Sequence, residues 1–122
     1  MSKRRFIAVD FDGVIAHFDG WKAYEFGEPR REMIERLNRL REELEKEGFE
    51  VHFILYSTRN SAELEALVEW LQKHELDEMF TFINMGSKPY CHLFIDDRAL
   101  YSELLLLESG LKHAKTMARR GV

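Results

Sequence analysis

The 122-residue sequence has one cysteine, two prolines and no long apolar run. The lone cysteine, Cys91, cannot form a disulfide within the chain, which favours a reducing compartment. The apolar run that follows the basic start, residues 6–9, is shorter than the roughly 7–15 residues of a secretory signal core. No segment approaches the roughly 20 apolar residues that cross a membrane. We therefore expect a cytoplasmic protein with no membrane partner.

Basic residues are in the minority. The chain has 18 Lys and Arg against 22 Asp and Glu, which gives a net charge of −4. Nonspecific binding to nucleic acid needs a basic surface, so this balance argues mildly against a nucleic-acid partner, although it is compatible with a locally basic pocket. The length, with 45% apolar and 33% charged residues, is typical of one folded domain that spans residues 1–122.

Four short apolar segments alternate with longer, more polar ones. Short apolar segments bounded by polar residues predict buried strands, and the four lie at residues 6–9, 51–56, 79–83 and 92–95. Strands that alternate with helices predict an α/β fold with a mainly parallel sheet. In such a sheet, ligands bind at the carboxyl ends of the strands.

The segments between the strands predict three helices and a loop. The first helix is expected to begin at Pro29 and to stop at Gly48, and the second to be capped by Asn60. The helical pattern of residues 99–120 is interrupted by Ser109 and Gly110. Residues 15–28, which have no clear period, predict a loop or a small flap, called the flap below.

Two carboxylates, Asp10 and Asp12, lie at the end of the first predicted strand, just before Gly13. On an extended strand, residues i and i+2 project to the same side. Two like charges that close repel each other unless a cation lies between them or one of them holds a proton. The pair therefore indicates a divalent metal, a proton shuttle, or both.

Further polar residues follow the later strands. Ser57 and Thr58 come after the second strand, Lys88 precedes the last one, and Asp96-Asp97 end it. The order Asp-x-Asp, hydroxyl, lysine, Asp-Asp resembles that of the haloacid dehalogenase (HAD) superfamily, whose members are mostly phosphohydrolases. The resemblance spans residues 10–97. It implies a Rossmann-like three-layer sandwich and a magnesium-dependent phosphomonoesterase.

The resemblance also implies a role for each matching residue. Asp10 would be the nucleophile that forms an aspartyl-phosphate, and Asp12 the general acid and then the general base. Ser57 would donate a hydrogen bond to a phosphoryl oxygen, with Thr58 as the alternative one position along. Lys88, the only lysine between Lys73 and Lys112, would neutralise the phosphoryl group.

Magnesium, which prefers hard oxygen ligands, would be held by Asp10, the carbonyl of Asp12, and Asp96 with Asp97. Of the last two, Asp96 is the expected direct ligand. Thr58, Arg59 and Asn84 are candidate substrate-binding residues. For Arg59 and Asn84, the alternative is a surface or supporting role.

The chain has no room for the cap domain that larger members of the superfamily insert. The site is therefore expected to be open, or to be covered by the flap or by a neighbouring copy in a homo-oligomer. An open site leaves the identity of the phosphorylated substrate undetermined and admits a polynucleotide or nucleotide end phosphatase as an alternative. A second alternative is a receiver-like domain switched by phosphorylation. In receivers, however, the phosphorylated Asp lies on a middle strand and the acidic pair on the first.

Overall fold

A computed structural model describes residues 3–87, 89–96 and 105–120. It contains a sheet of four strands and three α-helices. The strands are β1 (Arg4–Asp10), β2 (Glu50–Ser57), β3 (Phe80–Met85) and β4 (Leu93–Ile95), and the helices are α1 (Arg31–Lys46), α2 (Leu64–Lys73) and α3 (Glu108–Arg120). All described strand pairs are parallel, so the predicted α/β fold with a parallel sheet is confirmed.

The sheet has the order β3-β2-β1-β4. From β1 the chain moves outward through β2 to β3, and it then returns to place β4 on the other side of β1. The strand order therefore reverses between β1 and β4. Ligands of open parallel sheets bind outside the carboxyl ends of the strands at such a switch point, which here lies next to Asp10 and Asp96.

The two faces of the sheet are packed differently. One face carries a large apolar cluster to which α1, α2 and α3 all contribute, together with Ile7, Val9 and Phe53 from the strands. The opposite face carries a small cluster around Ala8, Ile54 and Tyr56. The described helices thus form a single layer on one face, and the third layer of the expected sandwich is not present among the described residues.

The first helix begins two residues later than predicted. Pro29 pairs with Ala16 in an isolated antiparallel bridge instead of entering the helix, and α1 begins at Arg31. The predicted stop is confirmed, because α1 ends at Lys46 and Gly48 follows with a φ of 94°, a value that favours glycine.

The other helix predictions fare differently. The cap at Asn60 is confirmed: its side chain accepts a hydrogen bond from the Ala62 N–H at the start of a short 3-10 turn that leads into α2. The predicted interruption of the last helical segment is misplaced: residues 105–107 are not helical, and Ser109 and Gly110 lie inside the first turn of α3. No described helix combines the length and the apolar character needed to cross a membrane.

Candidate active site

Asp10 and Asp96 occupy matching positions at the carboxyl edge of neighbouring strands. The pairing of β1 with β4 runs to Val9 opposite Ile95. Asp10 follows Val9, and Asp96 follows Ile95. Adjacent strands lie about 4.8 Å apart, so the two backbones are close neighbours here. Asp96 is 7% exposed. Two acids at the switch point of the sheet form the first part of the candidate site.

Tyr56 belongs to the same row of side chains. It is the register partner of Asp10 on β2, and its buried hydroxyl donates a hydrogen bond of 2.7 Å to Oδ2 of Asp96. Residues in matched register on parallel strands share one face of the sheet. The row of Tyr56, Asp10 and Asp96 therefore lies on the face opposite the described helices.

Asp12 is not on the strand, because β1 ends at Asp10 and a tight turn follows. Phe11 anchors this turn: its side chain is fully buried, and its carbonyl accepts hydrogen bonds of 3.0 Å from the N–H groups of Ile15 and Ala16. Gly13 has a φ of 88°, a left-handed conformation that glycine adopts without a steric cost. The turn separates the surroundings of Asp12 from those of Asp10.

Arg59 holds the Asp12 carboxylate through two parallel hydrogen bonds. Arg59 Nε lies 2.7 Å from Asp12 Oδ2, and Nη2 lies 3.0 Å from Oδ1. The Arg59 side chain is only 3% exposed, and its guanidinium lies over the ring of Phe26 at 4.7 Å. A bidentate pair of this kind fixes the orientation of a carboxylate. Arg59 is therefore a buried partner of Asp12 and not a surface residue.

A second carboxylate, Glu63, neutralises the other side of Arg59. Nη1 of Arg59 donates to Glu63 Oε1 at 2.8 Å, and this carboxylate is 3% exposed. Burial opposes the charge on Glu63, but hydrogen bonds from the backbone of Tyr24, from Arg59 and from the backbone of Asn60 hold its pKa below the usual range. Burial likewise opposes the charge on Arg59, but its two carboxylate partners raise its pKa.

Ser57 ends β2 and is 1% exposed. Its Oγ accepts a hydrogen bond of 3.0 Å from the backbone N–H of Arg59. A hydroxyl that accepts in this way retains its own O–H as a donor. Thr58, the alternative hydroxyl, is exposed at the next position.

The remaining predicted residues lie elsewhere or outside the described residues. Asn84 is the register partner of Tyr56 on β3, but its Nδ2 donates to the carbonyl of Ser87 at 2.6 Å. The amide therefore stabilises the loop after β3. Lys88 and Asp97, which the sequence assigned to phosphoryl and magnesium binding, lie outside the described residues.

The flap borders a pocket of about 200 Å³ next to Asp12. This flap pocket is lined by Asp12, Arg59 and flap residues that include His17, Phe18, Lys22 and Phe26. Gly27 allows the two ends of the flap to approach each other, because a Cβ at this position would collide with the carbonyl of His17. Three flap aromatics are exposed at the surface: Phe18 (47%), Trp21 (62%) and Tyr24 (58%).

The arrangement of acids bears on metal binding. Within residues 3–87, 89–96 and 105–120, no group of three or more His, Cys, Asp or Glu side chains has the arrangement of a metal site. Asp10 and Asp96 nevertheless provide hard oxygen donors at one edge of the sheet, the ligand type that suits Mg²⁺. These two acids, with the Asp12 carbonyl, are the described atoms to which the resemblance assigns such an ion.

Two residues of this site were not predicted from the sequence. Tyr56 was interpreted only as the end of a strand, although it stands an even number of residues from Ile54 and so shares that residue's face. Glu63 was interpreted as part of a helix cap, although its place four residues after Arg59 is the spacing of a helical ion pair. Comparisons with protein-family models, with curated proteins and with solved structures gave no match to this chain.

Proposed function

We propose that this chain is a magnesium-dependent phosphohydrolase that forms an aspartyl-phosphate on Asp10. The observation that carries the proposal is the position of Asp10 and Asp96 at the switch point of a parallel sheet. Ser57 ends the neighbouring strand, and Asp12 occupies the turn beyond Asp10. Nucleophile, hydroxyl donor and second acid thus approach the same edge from different elements, as ligand sites of parallel sheets do.

In the proposed reaction, an Asp10 carboxylate oxygen attacks phosphorus as the bond from phosphorus to the leaving oxygen breaks. For this step Asp12 would exchange one of its hydrogen bonds from Arg59 for a proton, which it would give to that oxygen. It would then take a proton from the water that hydrolyses the Asp10 acyl phosphate, which restores both acids. The Ser57 O–H would donate to a phosphoryl oxygen.

Magnesium, when bound, would neutralise the negative charge of the phosphoryl group and of the carboxylates around it. Asp10, Asp96 and the carbonyl of Asp12 would hold it. Their oxygen donors fit the ion chemically, and Asp97 is a further candidate ligand outside the described residues.

The flap supports a second candidate, a nucleotide phosphatase. Phe18 lines the flap pocket together with the cation Lys22, and Trp21 and Tyr24 are exposed in the same flap. A base stacks on exposed aromatic rings, and a phosphate binds cations. Asp19 and Glu25 also line the pocket, which favours a mononucleotide over a polyanionic strand. A preference for nucleoside monophosphates over sugar phosphates that is lost in Trp21→Ala would support this candidate.

The first test is phosphate release from an aryl phosphate, with Mg²⁺ and with a chelator, in the wild type and in Asp10→Asn. The proposal requires release that depends on Mg²⁺ and falls by at least about 10³-fold in the variant. Asp77→Asn, which changes an exposed carboxylate at the start of the 3-10 turn before β3, is the matched control. Release that survives Asp10→Asn would contradict the proposal, and a stable phosphate on Asp10 without turnover would favour the receiver-like alternative.

A further inference from the structure

The Arg59 guanidinium joins three separate parts of the chain. Nε and Nη2 bind the Asp12 carboxylate in the turn after β1. Nη1 donates both to the carbonyl of Lys22 in the flap, at 2.9 Å, and to Glu63 in the 3-10 turn before α2. A planar guanidinium cannot turn toward one of these partners without changing its geometry to the others, because its donors form a rigid fork.

The flap is held against the same group at a second point. The backbone N–H of Tyr24 donates to Glu63 Oε1 at 2.7 Å, the oxygen that also accepts from Arg59. Tyr24 has a φ of 60°, a conformation that a non-glycine residue keeps only when its surroundings hold it. The contacts with Arg59 and Glu63 therefore determine the position of the middle of the flap.

A third contact holds the end of the flap. Trp70 Nε1 on α2 donates to the carbonyl of Gly27 at 3.1 Å, and the Trp70 ring packs edge-on against Phe11 at 5.0 Å. Arg59 takes no part in this contact. The hydrogen bond at Gly27 is thus made by a residue other than those that hold the middle of the flap, although Arg59 also lies over the neighbouring Phe26 ring. The Trp70 indole N–H therefore reports a general loosening through a hydrogen bond that Arg59 does not make.

The charges favour a single connected arrangement. One buried cation lies between two acids, Asp12 and Glu63, of which Glu63 is 3% exposed and Asp12 is 19% exposed. Removal of either acid leaves Arg59 with an unused donor, and burial makes an unused charged donor costly. The guanidinium must then shift toward the remaining acid or admit water.

We infer that Arg59 is a positioning residue that couples the flap to Asp12. The catalytic role of this coupling rests on the proposed function. While the flap contacts Arg59 and Glu63, the Asp12 carboxylate is held in one orientation at the edge of the flap pocket. A leaving group in this pocket would lie beside both the flap and Asp12, because both line it. Displacement of the flap would therefore change the support of the acid that would exchange a proton with the leaving group.

Amide hydrogen exchange of the Tyr24 N–H, measured by NMR without metal or substrate, tests the coupling. Asp12→Ala is expected to accelerate this exchange by about tenfold or more, the effect of weakening one charge-assisted hydrogen bond. In an Arg59→Met background, the same Asp12→Ala change is expected to have no further effect. The end of the flap, reported by the Trp70 indole N–H, should change little.

Two controls exclude other causes. Asp19→Ala removes another pocket carboxylate and should leave Tyr24 exchange unchanged. Arg119→Ala breaks a pair with Glu47 that uses the same Nε and Nη2 atoms on the exposed surface, and it too should leave Tyr24 unchanged. Where Asp12→Ala lowers the melting temperature strongly, Asp12→Asn replaces it.

Equal acceleration by Asp12→Ala in both backgrounds, or no acceleration in the wild-type background, would overturn the coupling. This result does not depend on whether the chain hydrolyses phosphate esters, because exchange is measured on the free protein. Absence of phosphate release, in turn, would overturn the proposed function and leave the measured coupling intact.

Discussion

Asp10 and Asp12 are two residues apart, yet they lie on different elements and have different neighbours. Asp10 ends a strand beside another acid, Asp96, in a row on the face opposite the described helices. Asp12 lies in a turn, where the buried guanidinium of Arg59 neutralises it. The oxygens of the first pair are of the type that a divalent cation prefers, whereas the second carboxylate is bound by a cationic side chain. Two acids that look equivalent in the sequence are thus suited to different tasks.

The comparison predicts that Asp12 matters most when the leaving group needs a proton. Asp12→Asn is expected to slow phosphate release from an alkyl phosphate by about 10²–10⁴-fold, the usual contribution of a general acid. Release from an aryl phosphate with a good leaving group should fall much less, because that group departs without a proton. Values of kcat/KM on both substrates measure the difference, because they do not include the later hydrolysis of the Asp10 phosphate, in which Asp12 would act as base.

An equal loss of kcat/KM on the two substrates would contradict a role for Asp12 as the general acid. Asp10→Asn serves as the reference, since removal of the nucleophile should abolish both reactions alike. The ratio of the two rates therefore distinguishes the acids even where both variants are poor enzymes.

The turn that separates the two acids depends on Phe11. Its side chain is fully buried and packs edge-on against the rings of Phe26 and Trp70. Phe11→Ala is expected to lower the free energy of unfolding by about 3–5 kcal/mol, as for other buried phenylalanines. Phe18→Ala, at an exposed flap position, should change it by less than about 0.5 kcal/mol. Urea denaturation of the three proteins measures both values.

The strand ends could be predicted from the sequence, because short apolar runs stop abruptly at polar residues. The sequence predicts Asp10, Ser57 and Asp96 at those ends. In the structure, Asp10 is the last residue of β1 and Ser57 is the last residue of β2. Period and polarity are local properties of the chain, and they are sufficient for this purpose.

The partners of these residues could not be predicted in the same way. Arg59 and Asp12 are 47 positions apart, and Tyr56 and Asp96 are 40 apart. Their contacts depend on the strand order and on the path of the flap, which no local pattern specifies. The late start of α1 also depends on a contact between residues far apart in the sequence, because Pro29 forms a bridge with Ala16 and does not enter the helix.

The Asp10 and Asp96 pair can be tested by a substitution at Tyr56. Its hydroxyl donates to Asp96 Oδ2 and so helps to orient that carboxylate. Under the proposed function, Tyr56→Phe is expected to raise the Mg²⁺ concentration for half-maximal phosphate release by about tenfold, because residues that orient a ligand affect metal affinity. The control is Tyr90→Phe, since Tyr90 is fully exposed. An unchanged Mg²⁺ dependence in Tyr56→Phe would argue against Asp96 as a ligand.

The smallest expected effect concerns the pH dependence of stability on the Arg59 side. Burial disfavours the charged form of Glu63, but hydrogen bonds from Tyr24 and Arg59 hold its pKa below the ordinary value of 4.5. A carboxyl with a lowered pKa in the folded state stabilises the fold above its unfolded value, and this contribution is lost as the pH falls through the folded value. Glu63→Gln should therefore flatten the loss of stability below about pH 4.5 by about 1 kcal/mol. Urea unfolding at a series of pH values measures how the free energy of unfolding changes with pH. Glu69→Gln, on the exposed side of α2, is the control. A pH dependence unchanged by Glu63→Gln would mean that Arg59 does not depend on this carboxylate for its charge balance.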